Sequence, residues 1–111
     1  MRRHYLLAAF LLLLSSLTWA QDLFDQDLTP EGVRAALDAG ADVEARTEYG
    51  MTPLMFAAGA NENPEVVQVL LDAGADATAK NGGGETAWDL IQDNEALKGS
   101  KAYWRLNELR Y

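Results

Sequence analysis

The chain has 111 residues, enough for a single domain, and a formal net charge of −8. This acidity argues against nucleic-acid and anionic-membrane partners, because both attract clustered Lys and Arg side chains. The chain has no Cys, and its only His is His4. The part after Ala20 therefore lacks Ser–His and Cys–His nucleophilic pairs and the usual zinc ligands. We expect a protein that is not an enzyme and that holds no metal and no cofactor.

The N-terminal segment, from Met1 to Ala20, has the layout of a secretory signal peptide. A basic start is followed by residues 5–17, a run without charge, Pro or Gly, and then by the small residue Ala20. We expect cleavage between Ala20 and Gln21; the alternative is an uncleaved membrane anchor, although a membrane-spanning helix needs about 20 apolar residues. Cleavage would leave seven basic against 17 acidic residues, a net charge of −10. The expected location is periplasmic, with secretion as the alternative.

The rest of the chain repeats itself at a fixed offset. The sequence Leu-Asp-Ala-Gly-Ala-Asp at 37–42 recurs at 71–76, and ten of the eighteen positions of 29–46 are identical in 63–80. Such an offset indicates a repeat architecture in which each unit packs on its neighbours. The predicted organisation is a signal peptide (1–20), a partial repeat (21–46), a full repeat (47–80) and a C-terminal capping repeat (81–111).

Three helices are predicted to begin at Pro residues. Pro30, Pro53 and Pro64 each follow a Thr or an Asn, and this pair is typical of a helix N-cap and first turn. Gly40 and Gly74 are typical of the left-handed residue that ends a helix. The apolar positions that we expect on the buried faces are Leu54, Phe56, Ala57, Ala58, Val66, Val67, Leu70 and Leu71. Leu23 and Phe24 are expected to cover the open edge of the partial repeat.

Two more helices are predicted in the C-terminal part. Thr86 and Asp89 have the spacing of a capping box, and residues 101–111 read as a last helix. Its inner face is expected to hold Ala102, Leu106 and Leu109. Because Trp104 follows Leu70 at the same offset that separates the two copies of the repeat, we expect it to fill the equivalent place in the core.

These segments resemble the ankyrin-repeat family. Residues 50–57, Gly-Met-Thr-Pro-Leu-Met-Phe-Ala, match the family's G-x-T-P-L-H-x-A run, with Met55 in place of His. Residues 67–76 match its V-x-x-L-L-x-x-G-A-D run. One extra residue near 59–63 lengthens the usual repeat of about 33 residues. The resemblance implies an all-α ankyrin-repeat solenoid, with one complete repeat between partial N- and C-terminal capping repeats.

The resemblance also implies a function in protein binding through the hairpin tips between repeats. Carried over by position, the candidate contact residues are Glu44, Arg46, Glu48, Tyr49 and Met51 on the first tip, and Thr78, Lys80, Asn81 and Glu85 on the second. We expect a monomer that binds another exported protein, has no nucleic-acid partner and does not contact a membrane after signal removal. One version is an immunity or inhibitor protein; the alternative is a non-inhibitory accessory that tethers or protects a periplasmic enzyme.

Overall fold

The structure, a computed structural model, describes residues 23–111. The predicted signal peptide and its cleavage site lie outside the described residues. Within residues 23–111 the chain forms helices and no strand, so the predicted all-α architecture is confirmed. The helices are α1 (Pro30–Asp38), α2 (Pro53–Ala60), α3 (Pro64–Asp72), α4 (Ala87–Ile91) and α5 (Lys101–Leu109). None of these helices is both long enough and apolar enough to cross a membrane.

The helices stack in two rows. An outer row places α3 between α1 and α5, and an inner row packs α2 against α4. Each inner helix also packs on the outer helix that follows it in the chain. The core fills the space between the rows, and its most deeply buried large side chains include Leu54, Met55, Val66, Val67, Leu70 and Ile91. The predicted stack of paired helices is therefore present.

The helix ends follow the sequence signals. The Thr52 hydroxyl accepts a hydrogen bond from a backbone N–H of the first turn of α2, and Thr29 and Asn63 do the same for α1 and α3. Thr86 and Asp89 form the reciprocal capping box at α4. Each cap satisfies a backbone donor that has no partner inside its helix. Positive φ angles occur, as predicted, at Gly40 (99°) and Gly74 (96°).

The last helix does not continue the offset of the repeat. The offset from Asn63, the N-cap of α3, would place the N-cap of α5 at Leu97, but the N-cap is Ser100. Three additional residues turn a helix by about 300°, which moves each side chain to another face. Trp104 therefore does not occupy the place of Leu70 and is 56% exposed, so that prediction was wrong. Of the predicted inner face, Ala102 and Leu106 are buried, but Leu109 is 41% exposed, because α5 ends there.

The N-terminal edge of the stack is covered by the segment before α1. Leu23 is almost completely buried, as predicted. Phe24 is half-buried and packs edge to face on Phe56, with ring centroids 6.2 Å apart. Phe56 is thus half-buried and not a core residue, because the neighbouring Met55 takes the core position of α2.

Candidate functional site

Two tight turns project from the beginnings of the inner helices: the first finger (residues 47–51), before α2, and the second finger (residues 81–85), before α4. In each, the N–H of the first residue donates to the carbonyl of the last, at 3.0 and 2.9 Å respectively. The side-chain oxygens of Thr47 and Asn81 accept two further N–H groups within their own fingers. Both turns need a left-handed residue, and glycine supplies it: Gly50 (φ 78°) and Gly84 (φ 80°).

The two fingers are joined to each other. The Gly82 N–H donates to the Tyr49 carbonyl at 2.9 Å, and a Cβ at position 82 would lie only 3.0 Å from that oxygen. The Arg46 guanidinium donates to the carbonyls of Gly50, at 3.1 Å, and Lys80, at 2.7 Å. These bonds cross from one repeat to the next, so the fingers form one supported surface.

Two further candidate residues bond to Asp76, in the loop after α3: Glu44 links two repeats, and Thr78 acts within one. Glu44 accepts a hydrogen bond from the Asp76 N–H at 2.8 Å, which links the partial repeat to the full one. The Thr78 hydroxyl donates to the Asp76 carboxylate at 2.7 Å. This bond, followed by the bond from the Thr78 backbone N–H, lowers the pKa of Asp76 below its ordinary value, because both stabilise the ionised carboxylate.

Met51 and Asn81 lie in the cleft between the fingers. Met51 is half-buried against the core, and its sulfur accepts from the Asn81 amide at 3.4 Å. The same amide donates to Glu85 at 3.3 Å. The cleft is shallow and open, and its lining comprises Glu48, Tyr49, Gly50, Met51, Asn81, Gly82 and Gly83. An open cleft of this kind suits a protein surface better than a small ligand, which normally needs an enclosing pocket.

The candidates most available to a partner are Glu48, Tyr49, Lys80 and Glu85, all of which are exposed. Tyr49 is 74% exposed, more than any other large apolar residue of 23–110. Lys80 is the only basic residue between Arg46 and Lys98 in the sequence. The fingers and inner helices therefore present an acidic surface with a single aromatic ring at one tip.

A family model described as ankyrin repeats in many copies matches residues 36–91, just over half of the chain. The chain belongs to the ankyrin-repeat family. No curated protein matches it. Ankyrin repeats are generally protein–protein interaction modules and are typically not enzymes. In this ankyrin chain the match runs from the end of α1 to the end of α4, and it includes both fingers.

The structure brings all nine predicted contact residues of this ankyrin chain to the two fingers and their bases, but it gives them different tasks. Glu44, Arg46 and Thr78 make hydrogen bonds that hold the repeats or the loop between them. The role of all nine residues in contacting a partner stays a prediction. Sequence reasoning missed the exposed carboxylates of Asp89 and Asp93, which extend the acidic surface along α4 and just beyond it. The capping-box spacing of Thr86 and Asp89 was the available signal for Asp89, whereas no local pattern marks Asp93, which follows the end of α4.

Proposed function

We propose that this ankyrin chain is an exported binding module that docks on another periplasmic or secreted protein through its fingers. The observation that carries the proposal is the exposed Tyr49 ring on a finger whose backbone is fixed by the Gly82 N–H. A supported backbone loses little conformational freedom on binding, so more of the contact energy remains as affinity. Exposed tyrosines are enriched among the residues that dominate binding energy.

The charge of the finger surface favours a basic partner. Glu48 and Glu85 are exposed on the two fingers, and the inner helices contain no Lys or Arg. Complementary charge raises the rate of association and disfavours partners of the same sign. An immunity or inhibitor protein that covers a basic exported toxin would use such a surface.

The alternative is an accessory that tethers or protects a periplasmic enzyme without inhibiting it. Both roles use the same fingers, and the partner's own activity separates them. An inhibitor abolishes that activity at saturating concentration, whereas an accessory leaves it intact or prolongs it. The partner is first captured from a periplasmic extract and identified by mass spectrometry.

Replacing Tyr49 by Ala is expected to weaken binding of the captured partner about 30-fold, the factor that corresponds to a hot-spot residue of about 2 kcal/mol. Folding should be unaffected, because the side chain is exposed and its truncation leaves no cavity. Met51 is not suitable for this test, since it packs on the core. The measurement is a titration by calorimetry, accompanied by a thermal melt of each variant.

The control for this prediction is Arg34→Ala, which truncates an exposed side chain on α1, in the outer row of the stack. It should leave the affinity unchanged. Glu48→Lys should slow association more than it speeds dissociation, and the difference should shrink at high salt. Equal affinities of the wild-type protein and Tyr49→Ala, with equal melts, would show that the fingers do not contact the partner.

A further inference from the structure

The C-terminal end of the stack carries a connected group of aromatic side chains. Trp104 packs edge-on against Tyr103, with centroids 5.1 Å apart, and Tyr103 packs against Trp88 at 4.8 Å. The Arg110 guanidinium lies 5.2 Å from the ring centre of Trp88 and 4.7 Å from that of Tyr111. We call these five residues the aromatic face. Trp104 is 56% exposed and Tyr111 is 90% exposed.

An aromatic surface is unusual at this place, because the terminal repeat of a solenoid normally has a polar outer side that keeps the protein soluble. The net charge of this end of the chain is also opposite in sign to that of the rest of the described residues. Residues 98–111 contain four basic residues and one acidic residue, whereas residues 23–97 contain three basic and 15 acidic residues. Lys101 and Arg110 take no part in the ion pairs found within the described residues. The face is therefore apolar and positively charged.

The opposite end of the stack has the complementary character. A recess lies between the segment before α1 and α1 itself, and its lining includes the exposed carboxylates of Asp25 and Asp27. The helix side of the recess is formed by small residues, among them Gly32 and Ala35. Since α1 begins the outer row and α5 ends it, the recess and the aromatic face lie at opposite ends of the stack.

We propose that the aromatic face docks into the N-terminal recess of a second copy of this chain, so that copies associate head to tail. Large rings would meet small residues, and Lys101 and Arg110 would meet Asp25 and Asp27. A contact between two different surfaces does not close on itself, so it produces open chains of copies and not a dimer. The sequence predicted a monomer and, separately, a core position for Trp104; the structure places Trp104 on the surface. The fingers take no part in this contact and stay free for another protein.

Sedimentation equilibrium tests this proposal. The sample is the protein in the form that the producing cells release, and the mass of one copy is measured beforehand by mass spectrometry. The weight-average mass should rise with concentration beyond that of two copies, and it should rise less at high salt. Trp104→Glu breaks the aromatic face, and Ala35→Lys fills the recess with a cation. Each variant should weaken association by at least about tenfold. Ala73→Lys adds the same charge at an exposed position of the middle repeat and should change nothing.

A mixture of the two variants tests the proposal more sharply than either variant alone. An equimolar mixture of Trp104→Glu and Ala35→Lys should form a two-copy complex and nothing larger, because one intact face meets one intact recess. Should Trp104→Glu lower the melting temperature, Tyr111→Ala tests the face at a position too exposed to affect folding. A monomeric mass at every concentration overturns the proposal. Association that Ala35→Lys leaves intact overturns it as well, since the aromatic faces would then bind each other.

Discussion

Replacing Leu70 by Ala is expected to destabilise the folded stack by about 2–5 kcal/mol, the range for truncating a fully buried leucine. Leu70 is completely buried in α3, the helix that packs on α1, α2 and α5. Removing its methyl groups leaves a cavity between these helices. A domain of this size has a total stability of about 5–15 kcal/mol, and a stack near the minimum number of repeats belongs at the low end. Much of the variant should therefore be unfolded near physiological temperature.

The measurement is urea unfolding followed by the helical circular-dichroism signal. The matched control is Glu65→Ala, a truncation on the same helix at an exposed position, which should cost less than about 1 kcal/mol. Similar unfolding midpoints for the two variants would contradict the placement of Leu70 between the rows.

Replacing Asn61 by Ala is also expected to destabilise the fold strongly. The side chain is buried and lies where α2 ends. Its amide donates to the Leu28 carbonyl at 2.9 Å, and its oxygen accepts from the Asn63 N–H at 2.8 Å. Alanine would leave both backbone groups without these partners, at a cost of about 1–3 kcal/mol for each group that water cannot reach. The Leu28 bond joins the partial repeat to the full one, so its loss should loosen the N-terminal edge first.

Hydrogen exchange checks this prediction residue by residue. Amide protons of α1 should lose protection in Asn61→Ala by a larger factor than those of α5. The control is Asn107→Ala, which truncates a half-buried asparagine whose side chain makes no hydrogen bond within the described residues. Uniform loss of protection along the whole stack, or none, would show that Asn61 does not hold the N-terminal repeat in place.

The helix starts and the two-row stack could be predicted from sequence because their signals are local. Thr52-Pro53 marks the start of a helix by itself. Thr29-Pro30 and Asn63-Pro64 occupy equivalent positions of the sequence repeat and mark two further helix starts in the same way. Trp104 was misplaced because the offset was extended across residues 92–100, where three additional residues precede Ser100. The apolar pattern of α5 was a signal against that placement, because Trp104 lies two positions from Ala102 and from Leu106 and therefore on the other side of the helix.

The contacts between repeats could not be predicted because they join a side chain to a distant backbone group. In the sequence Asn61 is typical of a residue that ends a helix, and only the structure shows that its amide donates to the Leu28 carbonyl. Asn94 lies one repeat further along the chain, and its amide donates to the Asn61 carbonyl at 2.8 Å. The separation of 33 residues between Asn61 and Asn94, about one repeat, was the sequence signal for this contact. Arg46 was predicted only as a partner contact, and its guanidinium also donates to the carbonyls of Gly50, in the first finger, and of Lys80, just before the second.

The central claim is that the fingers contact another exported protein, and site-specific photo-crosslinking in the producing cells tests it most directly. Benzoylphenylalanine replaces Tyr49 in one variant and Arg34 in another; Arg34 is exposed on α1, in the outer row. After irradiation, adducts are identified by mass spectrometry of the periplasmic fraction. The account predicts a discrete adduct with one other protein from position 49 and none from position 34. Adducts from position 34 alone would contradict it and place the binding surface on the outer row.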